Sequence, residues 1–383
     1  MGPVLPIQEF TYTLLVNILD VVLVVGGLVL LVGGGEALVR GASTLATRVG
    51  ISPLVIGLVV VSAATSAPEL AVTVGAVIGG EPDLAVGNVV GSNIVNILLI
   101  LGISAVITPL VIKRQLVRFD IPVMVAISVA LLLVSLDGRI SLIDGVLLLG
   151  VLVVHTVLSI VLGRNEKIDP AEKPDTLPLN AKPVPLWLAG LLLAVGIGLL
   201  VVGAQLLVTG AVSIATGFGV SSLVIGLTVV AIGTSLPELA TSIIALRKGE
   251  TDMAVGNIVG SNIFNIGMVL GLPAIVFGGG IPVPAAAIAI DIPLMLAVAV
   301  ALLPIAFTGF IVARWEGALF VALYVAYTLY LVLDSTQHDA ANGFTTVMLL
   351  FVLPLVAITL IAMTSYELGV VRERRFKQLS QKN

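Results

Sequence analysis

The run Thr65-Ser66-Ala67-Pro68-Glu69-Leu70 returns 169 residues later as Thr234-Ser235-Leu236-Pro237-Glu238-Leu239. Around these two runs, residues 51–102 align with residues 220–271 without a gap, and about 31 of the 52 positions are identical. Self-similarity at this level marks an internal duplication, which has to be read before any local pattern. The likeness reaches outward as well. Gly41-Ala42 matches Gly210-Ala211, and, with the offset drifting by two, Asp120-Ile121-Pro122 matches Asp291-Ile292-Pro293.

The medium in which this duplication sits follows from composition. Of 383 residues, 58% are hydrophobic and 10% charged, there is no Cys, and mean hydropathy is +1.21. Soluble domains carry roughly 25% charged residues, so polar surface is too scarce here to cover a water-exposed globule. The chain reads as a polytopic membrane protein. Soluble enzymes, nucleic-acid binders and disulfide scaffolds are excluded, because neither a basic domain nor a Cys framework is present. With about 20 apolar residues per crossing, spans fall near 15–39, 52–78, 84–110, 119–136, 141–162, 186–212, 222–246, 252–278, 286–307, 316–333 and 344–366. The first is too long for a removable leader and carries Asp20.

Eleven spans sort the Lys and Arg residues cleanly. Seventeen of the 18 fall on one side, from Arg40 and Arg48 through Lys113, Arg114, Arg118, Arg247, Lys248 and Arg314 to the tail Arg372–Lys377, and Arg139 alone falls on the other. Basic residues near span ends mark the cytoplasmic side, which puts the N-terminus outside and the C-terminus inside a cell membrane. Five spans per copy force the second copy to enter from the opposite side, the inverted-repeat plan of secondary transporters. The expected fold is therefore an all-α polytopic membrane protein of two inverted five-helix repeats plus one extra C-terminal transmembrane helix. Residues 1–162 form the first repeat, 163–185 a cytoplasmic linker, 186–333 the second repeat, and 334–383 the extra span with a basic tail.

The most similar stretches of the repeat are polar, the reverse of what lipid-facing helices need. Pro68 and Pro237 lack an N–H and leave the carbonyls of Ala64 and Gly233 without helical partners in mid-span. Broken helices persist in a membrane only where the freed groups are buried in protein or line a cavity. Glu69 and Glu238 each lie four residues after a threonine, Thr65 and Thr234, so carboxylate and hydroxyl share a face. An ionised Glu near the bilayer centre is costly unless compensated, and a cation compensates it. The plainer reading, a protonated Glu bonded to a neighbouring helix, explains less well why two such residues stand at equivalent places.

A second element follows each time, Gly87-Asn88-Val89-Val90-Gly91-Ser92-Asn93-Ile94-Val95-Asn96 and Gly256-Asn257-Ile258-Val259-Gly260-Ser261-Asn262-Ile263-Phe264-Asn265. Ser92 and Asn96 are four apart, as are Ser261 and Asn265, while the glycines supply a small-residue face for close helix approach. Asn88, Asn93, Asn257 and Asn262 fall on other faces and read as helix-bonding residues. The donors together are two carboxylates, hydroxyls, amide oxygens and freed carbonyls. Oxygen-only sets suit hard cations, and a crowded flexible set favours calcium over magnesium. Two carboxylates balance one divalent ion or about two monovalent ions, and an empty doubly charged site resists reorientation, which favours antiport.

At these residues the sequence resembles the cation/calcium antiporter superfamily, in its sodium/calcium exchanger branch of prokaryotic type. The segments within 57–102 and 226–271 look like that family's two alpha-repeats, and the resemblance covers spans 1–10. It implies exchange of calcium for sodium by alternating access, with spans 1 and 6 sliding against an eight-helix core. Carried over by position, it implies calcium at Thr65, Glu69, Thr234 and Glu238. It implies sodium there and at Ser66, Ser92, Asn96, Ser235, Ser261 and Asn265, with the backbone carbonyls of Ser62 and Ala231. Position 265 is Asn where related proteins carry Asp, which removes a titratable group and implies no potassium requirement. Position 64 is Ala opposite Gly233, so the halves are less symmetric, and span 11 has no counterpart in the pattern.

No resident cofactor is expected, the transported ions being calcium and sodium; the partners are these ions and the bilayer, with no nucleic acid. Oligomeric state is left open, a monomer being sufficient. Proton-coupled exchange and a cation channel stand as alternatives; an intramembrane enzyme finds no paired nucleophile and base. His155 reads as an interhelical hydrogen-bonding residue, Asp120 and Asp291 as helix-start residues, and Asp144 and Glu316 as interfacial.

Overall fold

The computed structural model describes residues 7–165, 185–218, 231–307, 309–336, 338, 340–359, 361–362 and 365. Helix α1 spans Ile7–Val49, α2 Pro53–Gly79, α3 Pro82–Ile107, α4 Leu116–Ser135, α5 Leu142–Asn165 and α6 Leu186–Gly217. The described part of α7 comprises Ala231–Gly233 and Leu236–Arg247. Then follow α8 at Thr251–Val276, α9 at Ala287–Phe307, α10 at Arg314–Ser335 and α11 at Ala340–Thr359. Ten of the described helices are long and apolar enough to cross a bilayer. They match ten of the eleven expected spans; the remaining one, expected over 222–246, begins in residues outside the described set and ends in α7. The linker 163–185 and the basic tail likewise lie mostly outside the described residues.

Short reversals make neighbours of sequential helices. Gly80 (φ 74) and Gly249 (φ 77) occupy equivalent places after α2 and α7, in the left-handed region that an L side chain enters only with strain. At each, the glycine N–H and the next N–H fold back onto the helix: Gly80 to Val77 and Glu81 to Ala76, Gly249 to Leu246 and Glu250 to Ala245. These paired bonds satisfy the last carbonyls and stop the helix. Pro82 then sits in the first turn of α3, where a missing N–H costs nothing.

Two miniature strand pairs tie the halves together. β1 (Leu110–Val111) pairs antiparallel with β4 (Ile311–Val312), and β2 (Arg139–Ile140) with β3 (Ile281–Pro282). At one end of the bundle Lys113 pairs with Asp252 at 2.9 Å, and Ser43 Oγ donates to Glu250 at 3.2 Å. At the other, the Arg139 guanidinium donates to the Gly279 carbonyl at 3.2 Å.

Helix α8 is the most enclosed of the ten, followed by α3, while α11 buries none of its described side chains. Close approach of α8 to α2 depends on glycine. A Cβ at Gly256 would stand 2.6 Å from the Leu54 carbonyl oxygen and 3.1 Å from the Leu58 nitrogen. Missing side chains thus let two backbones meet and carry Thr65 toward Asn257 and Ser261. A second glycine seam joins α1 to α6 antiparallel. Gly27 faces Gly203, Gly34 faces Gly196, Gly41 faces Ala189 and Asp20 faces Gly210, each within 3 Å of where a Cβ would sit. Without a hydrophobic driving force between helices in lipid, such close contact supplies the dispersion attraction that holds the pair.

Candidate ion-binding site

Helices α2 and α7 both break where the sequence places proline. In α2, regular helix stops at Thr65, Ser66 turns at φ −80, ψ 2, and helix resumes at Ala67. In α7, Ser235 turns at φ −90, ψ 7 between Gly233 and Leu236. The two breaks close differently: Ser66 N–H bonds the Ser62 carbonyl at 2.9 Å, whereas Ser235 N–H bonds Ile232 at 3.1 Å. This difference falls where Ala64 stands opposite Gly233. Immediately after each break comes a glutamate, Glu69 or Glu238, and both are fully buried.

The sequence-predicted residues converge, both within a copy and across the two copies. Ser235 Oγ donates to Glu69 Oε1 at 3.4 Å, and Ser261 Oγ donates to Glu238 Oε1 at 3.4 Å. Thr65 Oγ1 lies 3.4 Å from Ser261 Oγ. The two carboxylates stand close enough to interact, with Ser92 beside Glu69 and Thr65 beside Glu238. Asn96 is the second residue of the π-helical stretch Val95–Leu101, and Asn265 opens Asn265–Leu270 at the matching place in α8. A π-turn widens the helix locally and commonly marks a functional position.

What these groups lack is as informative as what they touch. Among the described residues, Ser66 Oγ, Glu69 Oε2, Ser92 Oγ, Asn96 Oδ1, Glu238 Oε2 and Asn265 Oδ1 are buried without a hydrogen-bond partner. Buried polar atoms are normally satisfied, because an unmade bond costs about 1–3 kcal/mol. These six are oxygens, alongside the equally unpartnered Asn96 Nδ2, and a hard cation is the ligand that accepts lone pairs from several oxygens at once. Ser62 is turned elsewhere: its hydroxyl bonds the carbonyls of Gly57 and Asn257 at 2.8 and 2.9 Å, and its own carbonyl also receives Thr65 Oγ1 at 3.5 Å. Ala231 opens the described part of α7. Thr234 is half-buried and sends its hydroxyl to Asn88 Oδ1 at 3.5 Å.

Three asparagines bond neighbouring helices as expected and, in doing so, also hold site side chains. Asn88 meets Thr234, Asn257 Oδ1 receives Thr65 Oγ1 at 3.2 Å, and Asn93 Oδ1 receives Asn265 Nδ2 at 3.0 Å. Asn262 departs from the expected role: its side chain donates to the Ile258 carbonyl of its own helix at 2.7 Å. Asp120 is a further correction. Its side chain makes no cap and instead bonds His155 and Ser159 on α5. Asp144 and Glu316 do close helix starts, accepting from Ser141 N–H at 2.8 Å and Ala313 N–H at 2.7 Å. No group of three or more His, Cys, Asp or Glu occurs among the described residues.

The chain is similar to several known proteins. A family model described as sodium/calcium exchanger protein matches residues 19–161 and 188–333. Inner membrane protein YrbG of Escherichia coli (strain K12) is 41% identical over 271 residues, covering 69% of this chain and 82% of its own length. Sodium/calcium exchanger MaX1 of Methanosarcina acetivorans is 39% identical over 94 residues, which is 24% of this chain and 27% of MaX1. Among solved structures, the sodium-calcium exchanger NCX_Mj soaked with sodium and strontium superposes with a TM-score of 0.69 at 32% identity, covering 81% of this chain and 97% of the other.

Proposed function

Because this chain belongs to the sodium/calcium exchanger family and is a cation/calcium antiporter rather than an enzyme, we propose that it exchanges calcium for sodium at the site between α2, α3, α7 and α8. The observation that carries this reading is the pair of fully buried carboxylates, Glu69 and Glu238, each just past a helix break and each with an unpartnered oxygen. Two negative charges in a low-dielectric enclosure are neutralised by one calcium or about two sodium ions, so the two cargoes compete for one set of oxygens. Thr65, Glu69, Thr234 and Glu238 hold calcium. Sodium uses these with Ser66, Ser92, Asn96, Ser235, Ser261 and Asn265, and with the carbonyls of Ser62 and Ala231. Asn265 brings no charge of its own, in keeping with exchange that needs no potassium.

The chain divides into repeats 1–162 and 186–333 of inverted topology, joined by the linker 163–185 and followed by the eleventh span. Support comes from the strand pairs: β1 and β3 hold matching places in the two copies, as do β2 and β4, so exchanging the copies turns the β1–β4 pair into the β3–β2 pair. The N-terminus lies outside and the C-terminus in the cytoplasm, an orientation that the placement of the basic residues supports. Alternating access arises as α1 and α6 slide together past the core, and their continuous glycine seam supports movement as one body.

The test is calcium-45 uptake into sodium-loaded liposomes diluted into sodium-free buffer. Uptake that needs the sodium gradient and is lost in Glu69→Gln and Glu238→Gln is the expected result. Uptake that follows only an imposed pH gradient would replace sodium by protons as the coupling ion, and flux without any counter-ion would replace the exchanger by a channel.

A further inference from the structure

The two asparagines at the second position of each Gly-Asn run sit behind the ion-facing hydroxyls, and their own bonding leaves no freedom in how they point. Asn257 is fully buried in α8. Its Nδ2 donates to Thr241 Oγ1 at 3.1 Å and to Ser242 Oγ at 3.4 Å. Thr241 commits its only proton to the Pro237 carbonyl at 2.8 Å, with a longer contact of 3.1 Å to the Glu238 carbonyl, so toward Asn257 it accepts. The amide nitrogen therefore faces Thr241, and the amide oxygen faces Thr65. An amide oxygen only accepts. The 3.2 Å contact then has one polarity: Thr65 donates to Asn257, which lies nearer than the Ser62 carbonyl at 3.5 Å. The donors run Thr65, Asn257, Thr241, and the chain ends on the accepting carbonyl of Pro237, on the backbone beside Glu238.

The other copy reaches the same result by a different anchor. Position 72 is Val where the second copy has Thr241. Asn88 Nδ2 instead donates to the Glu69 carbonyl at 3.1 Å and to Thr73 Oγ1 at 3.0 Å. A carbonyl accepts only, so the amide oxygen of Asn88 is left for Thr234, whose hydroxyl donates to it at 3.5 Å. Each asparagine thus acts on a threonine of the opposite repeat.

We infer that Asn257 and Asn88 are positioning residues that pull the hydroxyl protons of Thr65 and Thr234 away from the ion path, so that both oxygens present lone pairs to the cation. A hydroxyl has one proton and two lone pairs, and near a carboxylate its default is to donate to that carboxylate. A proton aimed at Glu238 or Glu69 would repel the arriving cation and occupy its ligand. By giving the proton a neutral acceptor on the far side, the asparagine makes the threonine a pure acceptor without adding charge to the site. This rests on the placement of calcium at Thr65 and Thr234 proposed above. Asn257 carries the larger share, having the shorter contact and the anchor that ends at the Pro237 break.

The experiment is a double-mutant cycle on the full-length protein in sodium-loaded liposomes, reading half-saturating calcium and maximal uptake separately. Thr65→Val and Asn257→Leu are each expected to raise half-saturating calcium about tenfold, and the double variant to be no worse than Thr65→Val alone, since the asparagine has nothing left to orient. Effects that multiply would overturn the relay, because packing lost at Asn257 would be felt whether or not the hydroxyl is present. Should Asn257→Leu not yield folded protein, the half-buried pair Thr234→Val and Asn88→Leu gives the same cycle with the same two readings. If Thr65→Val and Thr234→Val leave half-saturation unchanged while exchange proceeds, the ion ligands have been misplaced and the relay falls with them. If the unmodified protein moves no calcium, the functional reading itself falls.

Discussion

His155 on α5 and Asp120 on α4 are joined by a fully buried hydrogen bond of 2.9 Å between Nε2 and Oδ1. Ser159, one turn beyond His155, donates to the same carboxylate oxygen at 3.0 Å, and Phe119 stacks on the imidazole with ring centres 5.7 Å apart. Removing either member leaves buried polar atoms of the other unsatisfied, at a cost of about 1–3 kcal/mol or more, whereas losing a hydroxyl that shares the acceptor costs roughly 1 kcal/mol. Asp120→Ala and His155→Ala should therefore lower the thermal midpoint of the purified protein far more than Ser159→Ala. The double variant should be less destabilised than the two singles summed. Tryptophan-fluorescence melts in detergent decide this, and equal losses for all three singles would show that the pair carries no special weight.

The sliding reading separates two hydrogen bonds that look alike. Ser213 Oγ on α6 donates to Asp20 Oδ2 on α1 at 2.8 Å, inside the glycine-seamed pair. Ser43 Oγ, also on α1, donates to Glu250 Oε1 in the turn between α7 and α8, from the moving pair to the core. The chain contains no Cys, so introduced pairs are free of background. Cross-linking Asp20→Cys with Ser213→Cys should leave sodium-driven calcium uptake largely intact. Cross-linking Ser43→Cys with Glu250→Cys should abolish it, with recovery on reduction. The opposite pattern would mean that α1 and α6 move against each other.

The duplication, the broken helices and the two glutamates were all legible in the chain, because polar residues repeated in apolar spans have few physical explanations. That the helix-bonding asparagines also hold site side chains was missed for a geometric reason. A face pointing away from the site is a sound idea for a helix at the edge of a bundle, but α8 is enclosed. Asn257 reaches α2 with one end of its amide and α7 with the other, so two faces of one helix serve the same site. Asp120 was misread because a carboxylate beside Ile-Pro at a span start looks like a cap, and its partners lie 35 and 39 residues on. The spacing of His155 and Ser159, one helical turn apart, was the available signal. Helix α1 continues to Val49, past the apolar run ending near residue 39, because hydropathy reports where lipid stops and hydrogen bonding decides where helix stops.

Glu250 gives the turn between α7 and α8 a pH dependence of defined sign. Burial pushes its carboxyl above the ordinary carboxylate range; the Ser43 hydrogen bond draws it back, Asp252 pushes it further up, and Lys248 lowers it. A carboxyl whose pKa is raised on folding favours the folded state in its protonated form. Its contribution is complete below the unfolded value, about 4.3, and is lost as pH rises through the folded one. Thermal midpoints of the wild type and Glu250→Gln, compared from pH 4 to 7, should diverge as pH rises, with the wild type losing ground. Parallel profiles would remove Glu250 as the source.

Asn265 tests whether the site's neutrality at this position matters. Its Nδ2 donates to Asn93 Oδ1, and Asn93 cannot turn its amide around without giving up its own bond from Nδ2 to the Asn262 carbonyl at 3.2 Å. In Asn265→Asp, an ionised side chain would set a carboxylate oxygen against the Asn93 oxygen, whereas a protonated one restores a donor. The ionised form also adds a third charge beside Glu69 and Glu238. Calcium uptake by Asn265→Asp should therefore depend on pH more steeply than the wild type between pH 6 and 9, and Asn93→Ala should weaken the added dependence by removing the opposing oxygen. Uptake measured in sodium-loaded liposomes across that range provides the check. A profile unchanged from the wild type would mean that Asn265 lies outside the electrostatic reach of the bound ion.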